Sequence, residues 1–312
     1  MIDYVIYGKI IIDTIRLLDG RFVPEQLGGG GPQGAFGARL WADSVGLLTR
    51  SGTDMPAGPE AVLRSLGVDL QGWQQYSQHP TPRGLMAYDD QEYMLKTERT
   101  KEEMSRVSNS IKAIIAEALP IPADYENPQV IHLITEYFHE PMADEALRMK
   151  DRGAIYSLEP IIDHEHWSNR DALLAYLPKV DTVSPDWPSA SGLAESKDPK
   201  EVLKFWSKLG TSAVSVRHGI QGSYVWDKFS DKMWHIPIVR VNAVDPTGCG
   251  NSYGGGFAVG WHEHKDAKIA GCMGTISASF LAREIGVIGV TPQAEREAEA
   301  LLSQHMELIK PI

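Results

Sequence analysis

The sequence predicts an α/β fold with three layers, helix against sheet against helix, together with a small β-sheet lid. Short β-branched apolar runs alternate with longer amphipathic segments, which is the pattern of parallel strands joined by crossover helices. The chain has 312 residues, 43% of them hydrophobic, so it can bury one large core. No long linker, repeat or low-complexity tract divides it. We therefore expect one domain over residues 1–312.

The predicted strands of the main sheet are short and mostly apolar. They cover residues 4–7, 45–49, 130–134, 154–158, 180–184 and 213–217. The clearest helix is predicted for residues 100–119, where Val107, Ile111 and Ile114 recur at helical spacing on one face. That apolar stripe indicates packing against a core rather than a binding site.

Two more polar segments, residues 10–24 and 82–96, also read as extended and are set off by Gly or Pro. We expect them to pair in a second, smaller sheet, with lid segments at approximately residues 10–27 and 80–98. A sheet edge that faces solvent can pair with a second copy of the chain, so a homodimer through the lid is a further expectation.

Composition excludes several classes of protein. The formal net charge is -11 and no basic run offsets it, so we expect no nucleic-acid partner. The apolar run at residues 1–13 is interrupted by charged residues, which suits neither a signal peptide nor a membrane span, and we expect no membrane partner. Only Cys249 and Cys272 occur, and their spacing fits neither a disulfide framework nor a zinc site. A cytoplasmic location is expected.

A glycine-rich stretch, LGGGGPQGAFGARLW at residues 27–41, precedes an amphipathic segment. It contains GxGxxG at Gly29, Gly31 and Gly34, which formally matches a dinucleotide-binding turn. The preceding residues are too polar for the buried strand that such a turn requires, and Pro32 removes an amide. A tight structural turn remains open, but we favour a turn that approaches a sugar-like ligand.

The segment DPTGCGNSYGGGF at residues 245–257 carries the strongest functional signal. Gly248, Cys249 and Gly250 lead into a helix of small residues, with Asn251 and Ser252 in capping positions. Free amides at such a turn and the positive end of the helix dipole stabilise charge on a transferred phosphoryl group. We interpret this turn as an anion hole; the alternative is a glycine turn that only packs against a strand.

This segment resembles the DxTGAGD signature of the ribokinase (PfkB) family of carbohydrate and nucleoside kinases, and weaker similarity runs through most of the chain. The resemblance implies a ribokinase-like domain that transfers the γ-phosphate of ATP to a hydroxyl of a sugar or nucleoside. It also implies ATP and Mg²⁺, and K⁺ as a further candidate. The small-molecule acceptor and the nucleotide are then the expected partners.

The resemblance also implies roles for individual residues. YGKIIID resembles the opening strand with its sugar-contacting acid, and the glycine stretch resembles GGxxxN. VRHGIQGSYVW resembles the strand and turn that hold the nucleotide. The residues implied are Asp13, Gly29, Gly30 and Gln33 for substrate, Gly219, Gly222 and Asp186 for nucleotide, and Asp245 for a monovalent cation. Glu159, at the end of a predicted strand, is a further candidate to face phosphate and metal.

Three positions depart from the family pattern. Asn251 stands where the family has its catalytic base, and an amide cannot hold a proton taken from an alcohol. Ser189 stands where the NxxE motif has its glutamate, and Gln33 replaces the asparagine of GGxxxN. General-base catalysis typically contributes ~10²- to 10⁴-fold.

The departures leave four interpretations open. The protein is a divergent kinase with another base, such as Asp13 or Asp245; a pseudokinase or small-molecule-binding protein; an enzyme recruited to different chemistry in the same pocket; or a chain in which Asn251 was introduced by engineering. If phosphotransfer is retained, Asn251→Asp should raise it at least ~10-fold.

Overall fold

A computed structural model describes residues 1–17, 19–88, 95, 100–135, 140–162 and 166–312. It confirms the α/β class. Ten strands form the central sheet: β1 (Tyr4–Tyr7), β4 (Val45–Gly52), β5 (Trp73–Tyr76), β7 (Val130–Thr135), β8 (Ile155–Pro160), β9 (Thr182–Val183), β10 (Ala213–Arg217), β11 (Ser223–Asp227), β12 (Met233–Ile236) and β13 (Lys310–Pro311). A separate sheet of three strands contains β2 (Ile11–Arg16), β3 (Phe22–Gly28) and β6 (Arg83–Ala87).

The central sheet has the order β13-β12-β11-β10-β9-β8-β7-β1-β4-β5. From β5 to β10 neighbouring strands are parallel, and from β10 to β13 they are antiparallel. All six predicted core strands are present, although the one predicted for residues 180–184 is shorter. The carboxyl ends of parallel strands lie at one edge of the sheet, which is where α/β proteins bind ligands.

Helices cover both faces of the sheet, which confirms the three-layer prediction. The helices are α1 (Gly31–Arg39), α2 (Ala57–Ser65), α3 (Lys101–Ile114), α4 (Pro141–Asp151), α5 (Arg170–Tyr176), α6 (Trp187–Leu193), α7 (Pro199–Ser207), α8 (Cys249–His264), α9 (Ala267–Ala282) and α10 (Pro292–His305). On β1 successive side chains face opposite layers. Ile6 belongs to the buried cluster that contains side chains of α1, α8 and α9, whereas Val5 belongs to the cluster that contains side chains of α4 to α7.

The predicted helix at residues 100–119 is observed as α3, which ends at Ile114. Its apolar stripe does not join the main core. Ile111, Ile114 and Ile115 are buried in a small cluster of their own, against Ile11 of the lid and Tyr76 of β5. The stripe therefore packs α3 between the lid and β5, the edge strand of the central sheet, apart from the main core.

The three-stranded sheet is the predicted lid. β2 pairs antiparallel with β3 and parallel with β6. The second predicted lid segment continues past β6, but residues 89–94 and 96–99 lie outside the described residues. From Gly28 at the end of β3 the chain passes through Gly29 and Gly30, at φ of 95° and 90°, into α1. The lid thus leads directly into a helix of the main domain.

Candidate active site

The turn before α8 is held by a buried aspartate. Asp245 Oδ1 accepts hydrogen bonds from the amide and the hydroxyl of Thr247, at 3.0 and 2.6 Å, and Oδ2 accepts one from the amide of Gly286 at 3.2 Å. Gly248 then adopts a left-handed conformation, φ 81°, and α8 begins. Asp245 therefore fixes the turn through three donors.

The amides at the start of α8 are arranged as the sequence predicts, with one difference. The first helical hydrogen bond runs from Ser252 to the carbonyl of Gly248, so the amides of Gly250 and Asn251 have no helical carbonyl to bond. The Cys249 amide instead donates to Pro246 within the turn. Of the turn predicted as an anion hole at Gly248, Cys249 and Gly250, the structure thus leaves the Gly250 amide without a helical partner, together with that of Asn251, and anion binding stays a prediction.

Helices α1 and α8 lie with their backbones in contact. A β-carbon on Gly37 would overlap the carbonyl of Ser252, and one on Gly255 would overlap the carbonyl of Gly34. Only glycine allows this approach. As a result the amino-terminal ends of α1 and α8 lie side by side.

Gln33 lies in the first turn of α1 and is 1% exposed. Its Oε1 accepts a hydrogen bond from the amide of Gly30 at 3.1 Å, and its Nε2 donates to the carbonyl of Leu27 at 3.1 Å. Its side chain also packs against Gly248, where a β-carbon would overlap it. In this structure Gln33 therefore caps α1 and supports the turn before α8; its contact with substrate stays a prediction.

Asp13 lies on β2 at the base of the lid. The residue is buried, and its carboxylate covers Gly28, where a β-carbon would overlap Oδ2. Tyr88, just after β6, lies between this region and the turn before α8. Burial raises the pKa of Tyr88, the neighbouring Thr247 side chain lowers it, and the nearby carboxylates of Asp13 and Asp245 raise it. The lid thus reaches the start of α8 through a tyrosine that sequence reasoning did not identify.

Below Asn251 lies a buried carboxylate, Glu159, at the end of β8. Its Oε1 accepts hydrogen bonds from Nδ2 of Asn251 at 2.7 Å and from Nη1 of Arg217 at 2.5 Å. Nε2 of His132 lies 3.6 Å from Oε2. Burial alone would raise the pKa of Glu159, but Arg217 and His132 outweigh it and lower the pKa below its ordinary value. Glu159 is therefore ionised at neutral pH.

Two glycines of α8 make room for this group. A β-carbon on Gly254 would overlap Oε2 of Glu159, and one on Gly250 would lie 2.6 Å from Nη1 of Arg217. Gly254 is three residues after Asn251, so both face the carboxylate on one side of the helix. The small residues of α8 therefore admit an ion pair as well as a neighbouring helix.

A cleft of ≈ 720 Å³ opens beside this group. It is lined by the predicted residues Asp186, Gly219, Gly222, Gly248, Cys249, Gly250 and Asn251, together with Arg217, the lid residues Met86 and Tyr88, and apolar side chains such as Ile238, Val239 and Val241. The predicted substrate residues Asp13, Gly29, Gly30 and Gln33 are not among the residues that line this cleft. Gly30 nevertheless lies close to Asn251, since a β-carbon on it would be 3.2 Å from Nδ2 of Asn251.

Asp186 caps α6, because its carboxylate accepts a hydrogen bond from the amide of Ser189 at 3.1 Å. Ser189, at the position of the family glutamate, is buried. The Trp187 ring stacks on His218 with ring centres 4.0 Å apart. Trp187 therefore packs within the protein at the margin of the cleft.

Sequence reasoning missed Arg217 and His132 as well as Tyr88. Arg217 ends an apolar strand just before the predicted turn at Gly219, so a charge at the carboxyl edge of a strand was a usable signal. His132 lies inside β7 and bonds Ser157 across the sheet at 3.0 Å, with nothing local to mark it. Arg217 lies within the segment VRHGIQGSYVW, whereas His132 belongs to none of the segments that resemble the family.

In the part of the chain that the structure describes, no group of three or more His, Cys, Asp or Glu side chains is placed to hold a metal ion. Likewise, no helix among the described residues is long and apolar enough to cross a membrane.

Comparison with known proteins gives matches over most of the chain. The model of the pfkB family carbohydrate kinases matches residues 1–294. A cytidine kinase of Thermococcus kodakarensis is 27% identical over 264 residues, 84% of this chain and 89% of that protein. A fructokinase of Escherichia coli is 24% identical over 270 residues, 82% and 83% of the two chains.

Among solved structures, an E. coli protein assigned as a ribokinase II and determined with ATP and Mg²⁺ superposes with a TM-score of 0.71. It is 18% identical, and the match covers 98% of this chain and 100% of that one. At this identity the likeness shows a shared fold.

Proposed function

Because the chain belongs to the pfkB family of carbohydrate kinases, we propose that it transfers the γ-phosphoryl group of ATP to a hydroxyl of a nucleoside or sugar. The observation that supports this most is the cleft itself. It places the start of α8, with the amides of Gly250 and Asn251, opposite the glycine turn at Gly219 and Gly222. A helix start with unbonded amides suits phosphate, and the apolar wall at Ile238 and Val239 suits a base.

The residues present fit ATP. The amides of Gly250 and Asn251 would hold the terminal phosphates, with Arg217 close by as a cation in the same cleft. Asp186 also lines the cleft and is the acid best placed to act toward Mg²⁺. When bound, Mg²⁺ neutralises phosphate charge during transfer. Glu159 fits a metal less well than expected, because an amide and a guanidinium already bind its Oε1.

The acceptor would lie between Asn251 and the lid. Asp13 and the turn at Gly29 and Gly30 border this region, and a carboxylate accepts hydrogen bonds from the hydroxyls of a sugar or ribose. The chain's similarity to a cytidine kinase and a fructokinase keeps both substrate classes in the proposal. Tyr88 and Met86 of the lid face the same cleft and would help to exclude water.

Chemically, the acceptor oxygen bonds the γ-phosphorus while the bond to the β-phosphate oxygen breaks, so that ADP leaves and the hydroxyl proton passes to solvent water. Most of the catalysis in such a step comes from positioning and electrostatic stabilisation, which the amides and Arg217 would supply. Asn251 cannot accept the acceptor's proton. We therefore expect transfer to be slow. A protein that binds nucleotide and acceptor with little or no transfer is the second candidate, and Asn251 is the residue that favours it.

Three finer features belong to the same proposal. A monovalent cation such as K⁺ would lie near Asp245, whose oxygens already bind Thr247 and Gly286. A homodimer would form through the lid, where the edge strand β3 carries Phe22 with 58% of its surface exposed. A cytoplasmic location agrees with Cys249 and Cys272 forming no disulfide among the described residues.

Isothermal titration with ATP and ADP, with and without Mg²⁺, tests nucleotide binding. An ADP-release assay with cytidine, other nucleosides, fructose and other sugars then tests transfer. We expect saturable nucleotide binding and slow, acceptor-dependent ADP release. Binding without release from any acceptor would favour the second candidate. A folded protein that binds no nucleotide would refute both.

A further inference from the structure

Electrostatics favour only one orientation of the Asn251 side-chain amide. Its neighbour, Glu159 Oε1, lies 2.7 Å away and is an acceptor, so the amide must present its nitrogen to the carboxylate. The amide oxygen then points away from Glu159. Asn251 lines the cleft and lies beside Gly30 of the predicted acceptor region, so its oxygen is left for a ligand that binds there.

The carboxylate that sets this orientation is itself held in place. Glu159 is 2% exposed, is paired with Arg217 at 2.5 Å and lies beside His132. Gly254 admits its Oε2 against the helix. Each of these contacts would be lost or altered if the carboxylate turned away. Residues of three elements, β7, β10 and α8, therefore hold Glu159 in place and keep it charged.

From these contacts we propose that Glu159 is a positioning residue that carries the site's negative charge in place of an acid at 251, and that it orients the Asn251 oxygen toward the acceptor hydroxyl. This inference rests on the proposed phosphotransfer function for its kinetic part. Its electrostatic part does not, because it concerns only two side chains of the folded protein.

If Glu159 carries the charge, Asn251→Asp should not raise phosphotransfer as much as the sequence alone predicts. With Glu159 present, the new carboxylate would lie at hydrogen-bond distance from an existing one, and two such groups share one proton rather than both ionising. A protonated acid is no general base. The single substitution should therefore gain little, less than about 3-fold in kcat, far below the ~10²- to 10⁴-fold that general-base catalysis supplies.

Removing the charge of Glu159 should allow a carboxylate at position 251 to ionise and to act as a base. In the double variant Asn251→Asp, Glu159→Gln the only carboxylate is at 251, and we expect kcat at least ~10-fold above that of either single variant. Glu159→Gln alone should lower kcat by about 10-fold, since it removes a charge-assisted hydrogen bond to Asn251, with the nucleotide KM nearly unchanged. Asn109→Asp, on the exposed surface of α3, is the control for added charge.

A second readout does not depend on catalysis. In Asn251→Asp the shared proton gives the pair a raised apparent pKa in the folded state, so the folded state binds more protons than the unfolded state. Stability should then fall as pH rises through the range from about 4 to 7, and urea denaturation at several pH values measures it. The wild type, Asn109→Asp and the double variant should lack this fall.

Two outcomes would overturn the proposal: Asn251→Asp alone as active as the double variant, or an Asn251→Asp stability profile that parallels the wild type. Lack of turnover in every variant, with the predicted stability profile, would instead refute phosphotransfer and support the coupling of Glu159 to position 251.

Discussion

Gly254→Ala tests how tightly α8 closes over Glu159. In an open helix this change stabilises by roughly 0.5–1 kcal/mol. Here the new β-carbon would overlap Oε2 of Glu159 and lie 2.9 Å from Nε2 of His132. A glutamate tip normally swings aside at small cost, but this one is bound by Arg217 and Asn251.

The expected loss follows from those two bonds. Each charge-assisted hydrogen bond contributes about 1.5–3 kcal/mol, and displacement of Glu159 weakens both. Allowing for the helix gain and for partial relaxation, we expect the free energy of unfolding to fall by about 2–4 kcal/mol. Nucleotide affinity should fall too, since Arg217 and Asn251 line the cleft.

Urea denaturation and isothermal titration measure the two effects. Gly58→Ala is the matched control, because Gly58 lies in helix α2 and a β-carbon there meets nothing within 4 Å. That variant should be equal to the wild type or slightly more stable. If Gly254→Ala were as stable as Gly58→Ala and bound nucleotide normally, the tight closure of α8 over Glu159 would be refuted.

Three further changes probe other parts of the site. Gly248→Ala forces a left-handed conformation, at about 1–2 kcal/mol, and overlaps the Gln33 side chain, so thermal shift should show a lower Tm and titration a nucleotide affinity reduced at least ~10-fold. Burial, and then nearby Lys197 and His235, lower the pKa of His218 from 6.5 to about 4. The unfolded state therefore binds more protons, stability should fall by about 1–2 kcal/mol as pH drops from about 6.5 to 4, and His218→Phe should flatten that urea-denaturation profile. Asp245→Asn should lower the free energy of unfolding by about 1–3 kcal/mol in urea denaturation, because an amide has one acceptor oxygen and cannot accept from both Thr247 and Gly286. A variant as stable as the wild type would contradict the role of Asp245 in fixing the turn.

The local features of this fold could be predicted from the sequence. Parallel strands buried on both faces produce short apolar runs, so the six predicted core strands are present. The turn at Gly248 was predictable because a left-handed glycine and a following helix start are properties of adjacent residues. The family, which depends on the same segment, is confirmed.

Features that depend on distant pairing were not predictable. Glu159 is 58 residues from Arg217 and 92 from Asn251, and nothing near any of the three marks the others as partners. Gln33 shows the opposite case. Its place in a motif predicted contact with substrate, while its place in the first helical turn lets the side chain cap the backbone.

The crossing of α1 and α8, where glycines bring the two backbones into contact, also limits how this protein could diverge from its relatives. Gly37 and Gly255 tolerate no β-carbon, so these positions are closed to substitution as long as the two helices touch. Asn251 and Glu159 meet through their side chains alone, so a change of both alters the site without adding a β-carbon to that crossing. Evolution can thus rewrite the chemistry of the site while the frame that presents it stays constant.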